Sequence, residues 1–493
     1  MATDQPESGG RRETGVVFPR TASGRSTSAL ARAVVAHALR AVDHVGARAA
    51  DGETSWRREY RHHFRRLVEA GLGSPEAAVT IARDGLTAVG DRMMFATVDG
   101  EVDLAKGVTL PVMQPLSTAT IDGDGTAERE LVLPYRGERL RGDALRRQLE
   151  RWVRDGIIEP SCAEAVRLVA DHPEWLELPG HRVVVLGAGA EMGPLTALLR
   201  WGAEVVAVDL PRPAIWHRLI TTASRYAGRL HLPVEPTHDI DAATGMGADL
   251  LHGPNRVAAW LSTFDGPMTV GNYAYADGAL HVRVSVAIDA LTRHLLAERS
   301  DVGMAFLATP TDTFAVPGEA VAEATRRYAA REGIGKVRRP LRVISGGRLL
   351  TRNYPPEADP GINDSLVLQQ GPNYALAKRI QRWRATVTRA DGRSAFLRIA
   401  PATRTRSVVK NRLLAAAFAG AHRFGIEIFE PATSNTLMAA LLVHDLCNGP
   451  PVLEHPWQDE AFAAAHGGLW RQPYAPRSVL GIAVLLGAGS ARG

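Results

Sequence analysis

The residues Tyr374 and Lys378 have the types and the spacing of a proton-transfer pair. They stand four positions apart, and on a helix such positions lie on one face, one turn apart. The charge of the ammonium would stabilise a tyrosinate and bring the phenol pKa nearer the working pH for proton transfer with an alcohol or carbonyl oxygen. We therefore expect Tyr374 and Lys378 to be catalytic, although a pair on a solvated helix face has the same spacing.

His281 is a second candidate for acid–base chemistry. It follows Asn272 and Asp277, which come at or just after a predicted strand at residues 268–273. A carboxylate and an imidazole at the carboxyl edge of a sheet would form an acid–base pair, and the alternative is a histidine that caps a helix start. After the next predicted strand, Thr309 could donate to a cofactor or serve only as a turn residue. We expect Asn272 and Thr309 to bind a cofactor.

A glycine-rich turn at residues 187–193 is the clearest binding signal. It contains Gly187, Gly189 and Gly193, follows an unbroken apolar run typical of a buried strand, and precedes a helical pattern. A second apolar run ends at Asp209, about 20 residues past the glycines. Glycines let the backbone approach a pyrophosphate, and a carboxylate can accept the ribose hydroxyls. The pattern predicts a nucleotide site, and a packing unit without a ligand is the alternative.

Strands and helices alternate after this turn, which predicts an α/β fold with a Rossmann-like, doubly wound parallel sheet. The sequence pattern favours a disordered leader at residues 1–27, a mainly helical N-terminal domain at 28–175, a nucleotide-binding domain at 176–447 and an irregular C-terminal segment at 448–493. Within the third unit we expect a strand at residues 341–345. A loop at residues 352–364, rich in Pro, Gly, Asn and Asp, has the length of a lid.

The composition argues against several classes of protein. The chain has 493 residues and a net charge of +5, yet its positive residues are mostly arginine and form no stripe interleaved with aromatics. Cys162 and Cys447 form no metal or disulfide pattern and suit a reducing cytoplasm. The apolar run at residues 479–486 is too short to cross a bilayer. We expect a cytoplasmic protein with a small-molecule substrate, no nucleic acid, no membrane span, no metal and a homodimeric assembly.

The segments LGAGAEMG (186–193) and GAEVVAVDL (202–210) resemble the glycine turn and second strand of the short-chain dehydrogenases/reductases. The segment at residues 284–313 resembles that family's active-site helix, with the strand and threonine-containing loop that hold the nicotinamide. In this alignment the family's middle glycine falls at Glu191, and its Y-x-x-x-K pair falls on His281 and Ser285. The resemblance covers residues 180–315 and implies hydride transfer with a nicotinamide cofactor.

We therefore expect an oxidoreductase with NAD or NADP, the proton being handled by Tyr374 and Lys378 or by His281. Asp209 favours NAD because it would repel a 2′-phosphate, whereas Arg212 leaves NADP open. An S-adenosylmethionine-dependent methyltransferase is the first alternative, although Val185 stands where those enzymes usually carry an acid. A non-catalytic nucleotide-binding protein is the second, because the family's tyrosine and lysine are replaced at residues 281 and 285.

Overall fold

The computed structural model describes residues 13–488 except residues 23, 237–244, 331–334, 337 and 450. Its strands are β1 (Gly15–Val17), β2 (Arg20–Thr21), β3 (Gly24–Arg25), β4 (Met94–Ala96), β5 (Glu101–Asp103), β6 (Ser117–Asp122), β7 (Leu133–Tyr135), β8 (Glu138–Leu140), β9 (Arg182–Leu186), β10 (Glu204–Val208), β11 (Arg229–Val234), β12 (Met268–Asn272), β13 (Val302–Ala308), β14 (Thr313–Val316), β15 (Gly361–Asp364) and β16 (Ala395–Ile399).

The helices in the first half of the chain are α1 (Thr27–Leu39), α2 (His44–Asp51), α3 (Trp56–Gly71), α4 (Pro75–Arg92), α5 (Leu104–Val108), α6 (Gly142–Arg154), α7 (Pro160–Asp171), α8 (Leu195–Trp201) and α9 (Pro213–Arg225). Those of the second half are α10 (Pro254–Leu261), α11 (Gly278–Glu298), α12 (Gly318–Ala330), α13 (Arg338–Ile344), α14 (Gly371–Ala390), α15 (Arg406–Lys410), α16 (Arg412–Ala421), α17 (Pro431–Asn448), α18 (Pro456–Ala461) and α19 (Pro476–Gly487).

A seven-stranded sheet in the order β16-β13-β12-β9-β10-β11-β6 forms the centre of the molecule. Every neighbouring pair is parallel except β11 and β6, which are antiparallel. In chain order, β9, β10 and β11 extend the sheet towards one edge, and β12, β13 and β16 then extend it from β9 towards the other edge. This agrees with the predicted parallel sheet. It places a topological switch point between β9 and β12, where ligands of open α/β sheets bind at the carboxyl ends of the strands.

Each central strand contributes side chains to two cores, one on either face of the sheet. Val184 and Leu186 of β9 pack in one core, and Val183 and Val185 pack in the other. All four side chains are fully buried, as expected of a strand covered on both faces. Residues of α1, α3, α4, α11 and α14 belong to the first core, whereas α6–α9 and α17 contribute to the second.

The predicted N-terminal helical domain is not confirmed as a separate unit. Its helices are distributed over both faces of the sheet, and β6 pairs with β11 as the antiparallel edge strand. The leader predicted at residues 1–27 is corrected in part, because Gly15–Val17 is a buried strand that pairs with β4. Residues 1–12 lie outside the described residues. The apolar run that continues to Phe18 explains the ordered strand, since Phe18 is also buried.

Three local predictions from the second half of the chain are also revised. Residues 338–344 form a helix where a strand was expected, and Val343 and Ile344 are exposed instead of joining a sheet. The expected loop at 352–364 ends in β15, which pairs with β14. The segment expected to be irregular contains α18 and α19. In each case the local apolar pattern does not specify the element that forms.

Candidate functional site

A large cleft opens at the carboxyl ends of the central strands. Its volume is about 1530 Å³, and its walls come from the turns after β9, β12, β13 and β16 and from α11, α14, α15 and α16. Most of the predicted site residues line it, namely Gly187, Gly189, Asp209, Asn272, His281, Thr309, Tyr374 and Lys378. Gly193 is not part of its wall. The structure therefore brings together candidates that are separated by up to 191 residues along the chain.

The glycine turn leaves no room for side chains at two positions. Gly187 has φ +84°, and a Cβ there would lie 2.6 Å from the Cα of Ala274 on the loop after β12. A Cβ on Gly189 would lie 2.9 Å from the guanidinium of Arg218. At Gly193 the nearest atom would be 3.4 Å away, which is ordinary contact. The close approach of the backbone thus requires a glycine at Gly187, whereas the atoms crowding Gly189 belong to side chains and Gly193 has room for a Cβ.

Asp209 at the end of β10 holds the glycine turn in place. Its Oδ2 accepts the N–H of Gly189 at 2.7 Å, and its Oδ1 accepts the N–H of Leu210 at 2.7 Å. A carboxylate oxygen can accept more than one hydrogen bond, so both oxygens retain capacity for a ligand hydroxyl. The predicted position of Asp209 beside the glycines is therefore confirmed, and its binding role stays a prediction.

Glu191 of the glycine turn contacts the start of α15. Its carboxylate accepts the backbone N–H of Arg406 at 2.9 Å and pairs with the Arg406 guanidinium at 3.0 Å. Arg406 is the first residue of α15, which follows β16 in the chain. The negative charge in the glycine turn is therefore balanced by a cation that the sequence analysis did not identify, because 215 positions separate the two residues.

Lys378 on α14 is partly buried against the end of β13. Its ammonium donates to the carbonyl oxygen of Leu307 and to Oε1 of Gln381, both at 3.1 Å. Burial lowers the pKa of Lys378 to about 8, and the charge of Asp312 opposes this shift. The ammonium is therefore held in a fixed position and loses its proton far more readily than an ordinary lysine.

Tyr374 lies one turn before Lys378 on the same helix and also faces the cleft. Burial raises the pKa of its phenol, and a side-chain hydrogen bond with Thr309 lowers it in part. The spacing of Tyr374 and Lys378 predicted a lowered pKa, but desolvation is the largest effect on the Tyr374 phenol and raises its pKa. Tyr374 consequently keeps its proton at neutral pH, which is the form a proton donor needs.

Thr309 belongs to a polar turn that is hydrogen-bonded to the residue before α14. Its hydroxyl lies 2.9 Å from that of Thr311, and the amide of Gln370 donates to the carbonyl and hydroxyl oxygens of Thr311, each at 2.9 Å. Gln370 was missed in the sequence analysis. The elements β14, α12, α13 and β15 lie between Thr311 and Gln370 in the chain, so no local signal connects the two positions.

His281 lies in the first turn of α11, and the structure places it against Tyr374. Their ring centroids are 5.5 Å apart, and the ring of Tyr275 lies 5.1 Å from that of His281. Neither ring nitrogen of His281 has a hydrogen-bond partner, which contradicts the alternative of a capping histidine. Burial, with a smaller contribution from the charge of Lys378, lowers the pKa of His281 to about 3. His281 is therefore neutral at physiological pH.

The wall also contains Asn272 at the end of β12. Asn272 is buried, and its Oδ1 has no hydrogen-bond partner. Buried polar atoms without partners are rare in folded proteins, and here Asn272 and His281 are close together in sequence and line one cleft.

Over the described residues, no cluster of three or more His, Cys, Asp or Glu side chains is arranged to hold a metal ion. No helix within those residues is long and apolar enough to span a membrane.

Comparison with known proteins gives little further information. No family model matches the chain, and no curated protein matches it. A solved structure described as "Structure of A1-type ketoreductase" is 16% identical, and the match covers 55% of this chain and 46% of that chain with a TM-score of 0.29. The match therefore spans less than half of the ketoreductase chain, and a TM-score of this size is too low to indicate a shared fold.

Proposed function

We propose that the protein is an NAD(P)-dependent oxidoreductase that transfers a hydride between a nicotinamide cofactor and an alcohol or carbonyl carbon of a small substrate. The observation that carries the proposal is the convergence of the glycine turn with Tyr374 and Lys378 in one cleft at the switch point of the sheet. Nucleotide ligands of open α/β sheets bind at this position. A phenol and an ammonium there provide acid–base chemistry.

The cleft fits a dinucleotide in size and in backbone shape. Ligand pockets for drug-sized molecules are about 300–1000 Å³, and this cleft, at about 1530 Å³, has room for a dinucleotide beside a small substrate. Gly187 and Gly189 have no side chain at positions where a Cβ would lie within 3 Å of neighbouring atoms. Arg212 and Arg406 line the same region and supply positive charge. These features support a site for a ligand that carries phosphates.

Asp209 and Arg212 would meet the adenosine end of the cofactor. The Asp209 carboxylate can accept ribose hydroxyls and repels a 2′-phosphate, which favours NAD. Arg212, which lines the cleft near Asp209, would attract that phosphate. We place NAD first because Asp209 is fixed by two backbone N–H groups, whereas Arg212 is exposed.

Reduction of a carbonyl to an alcohol requires a hydride on carbon, which a reduced nicotinamide supplies when bound, and a proton on oxygen. Tyr374 would give that proton: burial keeps its phenol protonated, and a cation beside it is needed to bring its raised pKa towards the working pH. Lys378 would stabilise the resulting tyrosinate through its charge until a proton from solvent restores the phenol. His281 is not suited to this step, because its pKa of about 3 leaves the imidazole without a proton to transfer at neutral pH.

The substrate region is mixed in character, with apolar side chains beside the polar ones. Leu280 and Val284 of α11 and Val367 before α14 line the cleft on the side of Tyr374. Such a wall suits a small substrate whose body is mainly apolar.

A thermal-shift titration with NAD⁺, NADH, NADP⁺, NADPH and S-adenosylmethionine tests the proposal. A ligand present at 100 times its Kd adds about 2.7 kcal/mol to the free energy of unfolding. We expect stabilisation by a nicotinamide cofactor, its loss in Asp209→Ala and Gly189→Asp, and its retention in the matched variant Gly193→Ala. Stabilisation by S-adenosylmethionine alone would instead indicate methyl transfer, and no response to any of the five would overturn the proposal.

A further inference from the structure

His281 is a buried polar side chain whose function the fold does not explain. It is 1% exposed, yet neither Nδ1 nor Nε2 has a hydrogen-bond partner among the described residues. Leaving a buried donor and acceptor unpaired costs free energy. An apolar residue of similar size would fill the same space without that cost, so the imidazole suits a position that meets a ligand.

The surroundings of His281 show where a ligand would approach. Tyr374 lies on one side with its ring centroid 5.5 Å away, and Tyr275 covers another side at 5.1 Å with the rings inclined at 69°. Tyr275 is 54% exposed, and its hydroxyl donates to Asp277 at 2.8 Å. Because all three rings line the cleft, a substrate that displaces the exposed ring of Tyr275 would reach the imidazole.

We propose that His281 determines substrate specificity by binding a second, uncharged oxygen of the substrate, a hydroxyl or a carbonyl, near the carbon that reacts beside Tyr374. This inference rests on the proposed oxidoreductase function. A neutral imidazole presents one donor and one acceptor, and a hydroxyl can pair with either. The 5.5 Å between the two rings suits oxygen atoms that are separated by two or three carbons.

The charge of the site favours a neutral group over a carboxylate. Burying an anion is costly unless a cation is committed to it. Lys378 is the cation whose charge acts on His281, and its ammonium already donates to Leu307 and Gln381. His281 itself resists protonation because it is buried. A hydroxyl or carbonyl oxygen therefore matches the imidazole better than an anion does.

Three related ketones test the inference by kinetics. They are butan-2-one, which has no second oxygen, 4-hydroxybutan-2-one, which has a neutral one, and 3-oxobutanoate, which has an anionic one. We expect kcat/KM for 4-hydroxybutan-2-one to exceed that for butan-2-one by at least about tenfold. The preference should vanish in His281→Phe, survive in part in His281→Gln, and stay intact in His294→Gln on the same helix. His294 pairs with Glu298 and does not line the cleft.

A second measurement observes His281 directly and needs no turnover. In protein labelled with ¹⁵N-histidine, the ring resonances that are missing from His281→Gln identify the residue. They should shift when 4-hydroxybutan-2-one is added at up to about 100 mM, and much less with butan-2-one, because a new hydrogen bond alters the shielding of the ring nitrogens. The resonances of His294 serve as the internal control.

The outcomes separate this inference from the proposed function. A ring shift without turnover of any ketone supports the binding role and overturns the reductase proposal. Turnover with the same substrate preference in the wild type and in His281→Phe overturns the inference, and so does an unchanged His281 spectrum. A greater response to 3-oxobutanoate than to the hydroxyketone would also overturn it, because the oxygen would then be charged. If His281→Phe does not fold, the His281→Gln comparison decides the kinetic test.

Discussion

Two walls of the cleft differ in how completely their polar groups are paired. The glycine wall, defined here as residues 187–193 with Asp209, is satisfied by the protein itself. Asp209 accepts two backbone N–H groups, and Glu191 pairs with Arg406. Gly187 has a left-handed φ, and backbone of the loop after β12 packs against it. This wall is complete without a ligand.

The tyrosine wall, defined here as Tyr275, His281, Tyr374 and Lys378, is not complete in this sense. His281 has two unpaired ring nitrogens. Burial lowers the pKa of Lys378 to about 8 and raises the pKa of Tyr374. Unpaired polar atoms and shifted pKa values concentrate at functional sites in proteins.

The glycine wall therefore shapes the cleft through its backbone, whereas the tyrosine wall carries the side chains whose pKa values are shifted. Changes at Gly187 and Asp209 of the glycine wall should reduce stability and cofactor binding together, because these two residues fix the backbone of the turn. Changes in the tyrosine wall should reduce turnover more than cofactor binding, because its side chains carry the titratable groups of the cleft. The predictions below test this contrast.

The largest effect is expected for Tyr374→Phe. Removing the phenol removes the proton donor, so kcat should fall by about 10²–10⁴-fold, while cofactor affinity and melting temperature stay close to those of the wild type. Turnover assays and a cofactor titration measure the two quantities. Tyr226→Phe, at the end of α9 and outside the cleft, is the matched control. Full activity in Tyr374→Phe would remove Tyr374 from the mechanism.

A large loss of stability is expected for Gly187→Ala. An L-residue in the left-handed region costs about 1–2 kcal/mol, and the added Cβ would lie 2.6 Å from the Cα of Ala274. Gly193→Ala is the internal comparison, since its Cβ would lie 3.4 Å from the nearest atom and should change stability by less than about 0.5 kcal/mol. Urea unfolding of both variants measures the difference. Equal stabilities would show that the turn is not tightly packed.

The pH dependence of turnover should report on Lys378. Its pKa of about 8 in the folded protein means that the ammonium is charged below pH 8 and neutral above it. We expect carbonyl reduction to slow as the pH rises through 8, because the tyrosinate then loses its stabilising charge. A Lys106→Met variant, altered on the surface of α5, should keep the same profile. A rate that is flat from pH 7 to pH 9 would contradict a role for this charge.

The same pKa makes a prediction about stability. Between pH 8 and 10.5, Lys378 binds fewer protons in the folded state than in the unfolded state, because burial lowers its pKa from 10.5 to about 8. Stability therefore gains from Lys378 as the pH rises across this window. The stability of the wild type relative to Lys378→Met should accordingly rise from pH 8 to pH 10.5. Denaturant unfolding at each pH measures it, and a relative stability that fell instead would reverse the assigned shift.

The smallest effect is expected for Glu191→Gln in the glycine wall. The ion pair with Arg406 is solvent-exposed on the arginine side, where the side chain is 73% exposed, so its loss should cost less than about 1 kcal/mol. Removing a negative charge beside the glycine turn should increase cofactor affinity by about two- to fivefold. Calorimetric titration measures this change, and Glu69→Gln on α3 is the control. Weaker binding would show that the Arg406 contact holds the site open.

Much of the central sheet could be predicted from the sequence. Unbroken apolar runs at residues 183–186 and 205–208 match β9 and β10 within one residue, because strands covered on both faces tolerate few polar residues. The edge strand β6 was not anticipated, since it lies far ahead of β11 in sequence and pairs antiparallel to it. An edge strand is half solvated and has a weaker pattern.

The sequence by itself determined the glycine turn, the acid after the second strand and the one-turn spacing of Tyr374 and Lys378, because these are local relations along one strand or helix. Tertiary structure alone decided that His281 and Tyr374 are neighbours, that Glu191 faces Arg406, and that desolvation raises the pKa of Tyr374. These outcomes depend on contacts between residues 93 or more positions apart and on how completely water is excluded. Neither the long-range contacts nor the exclusion of water is encoded in the spacing of residues along the chain.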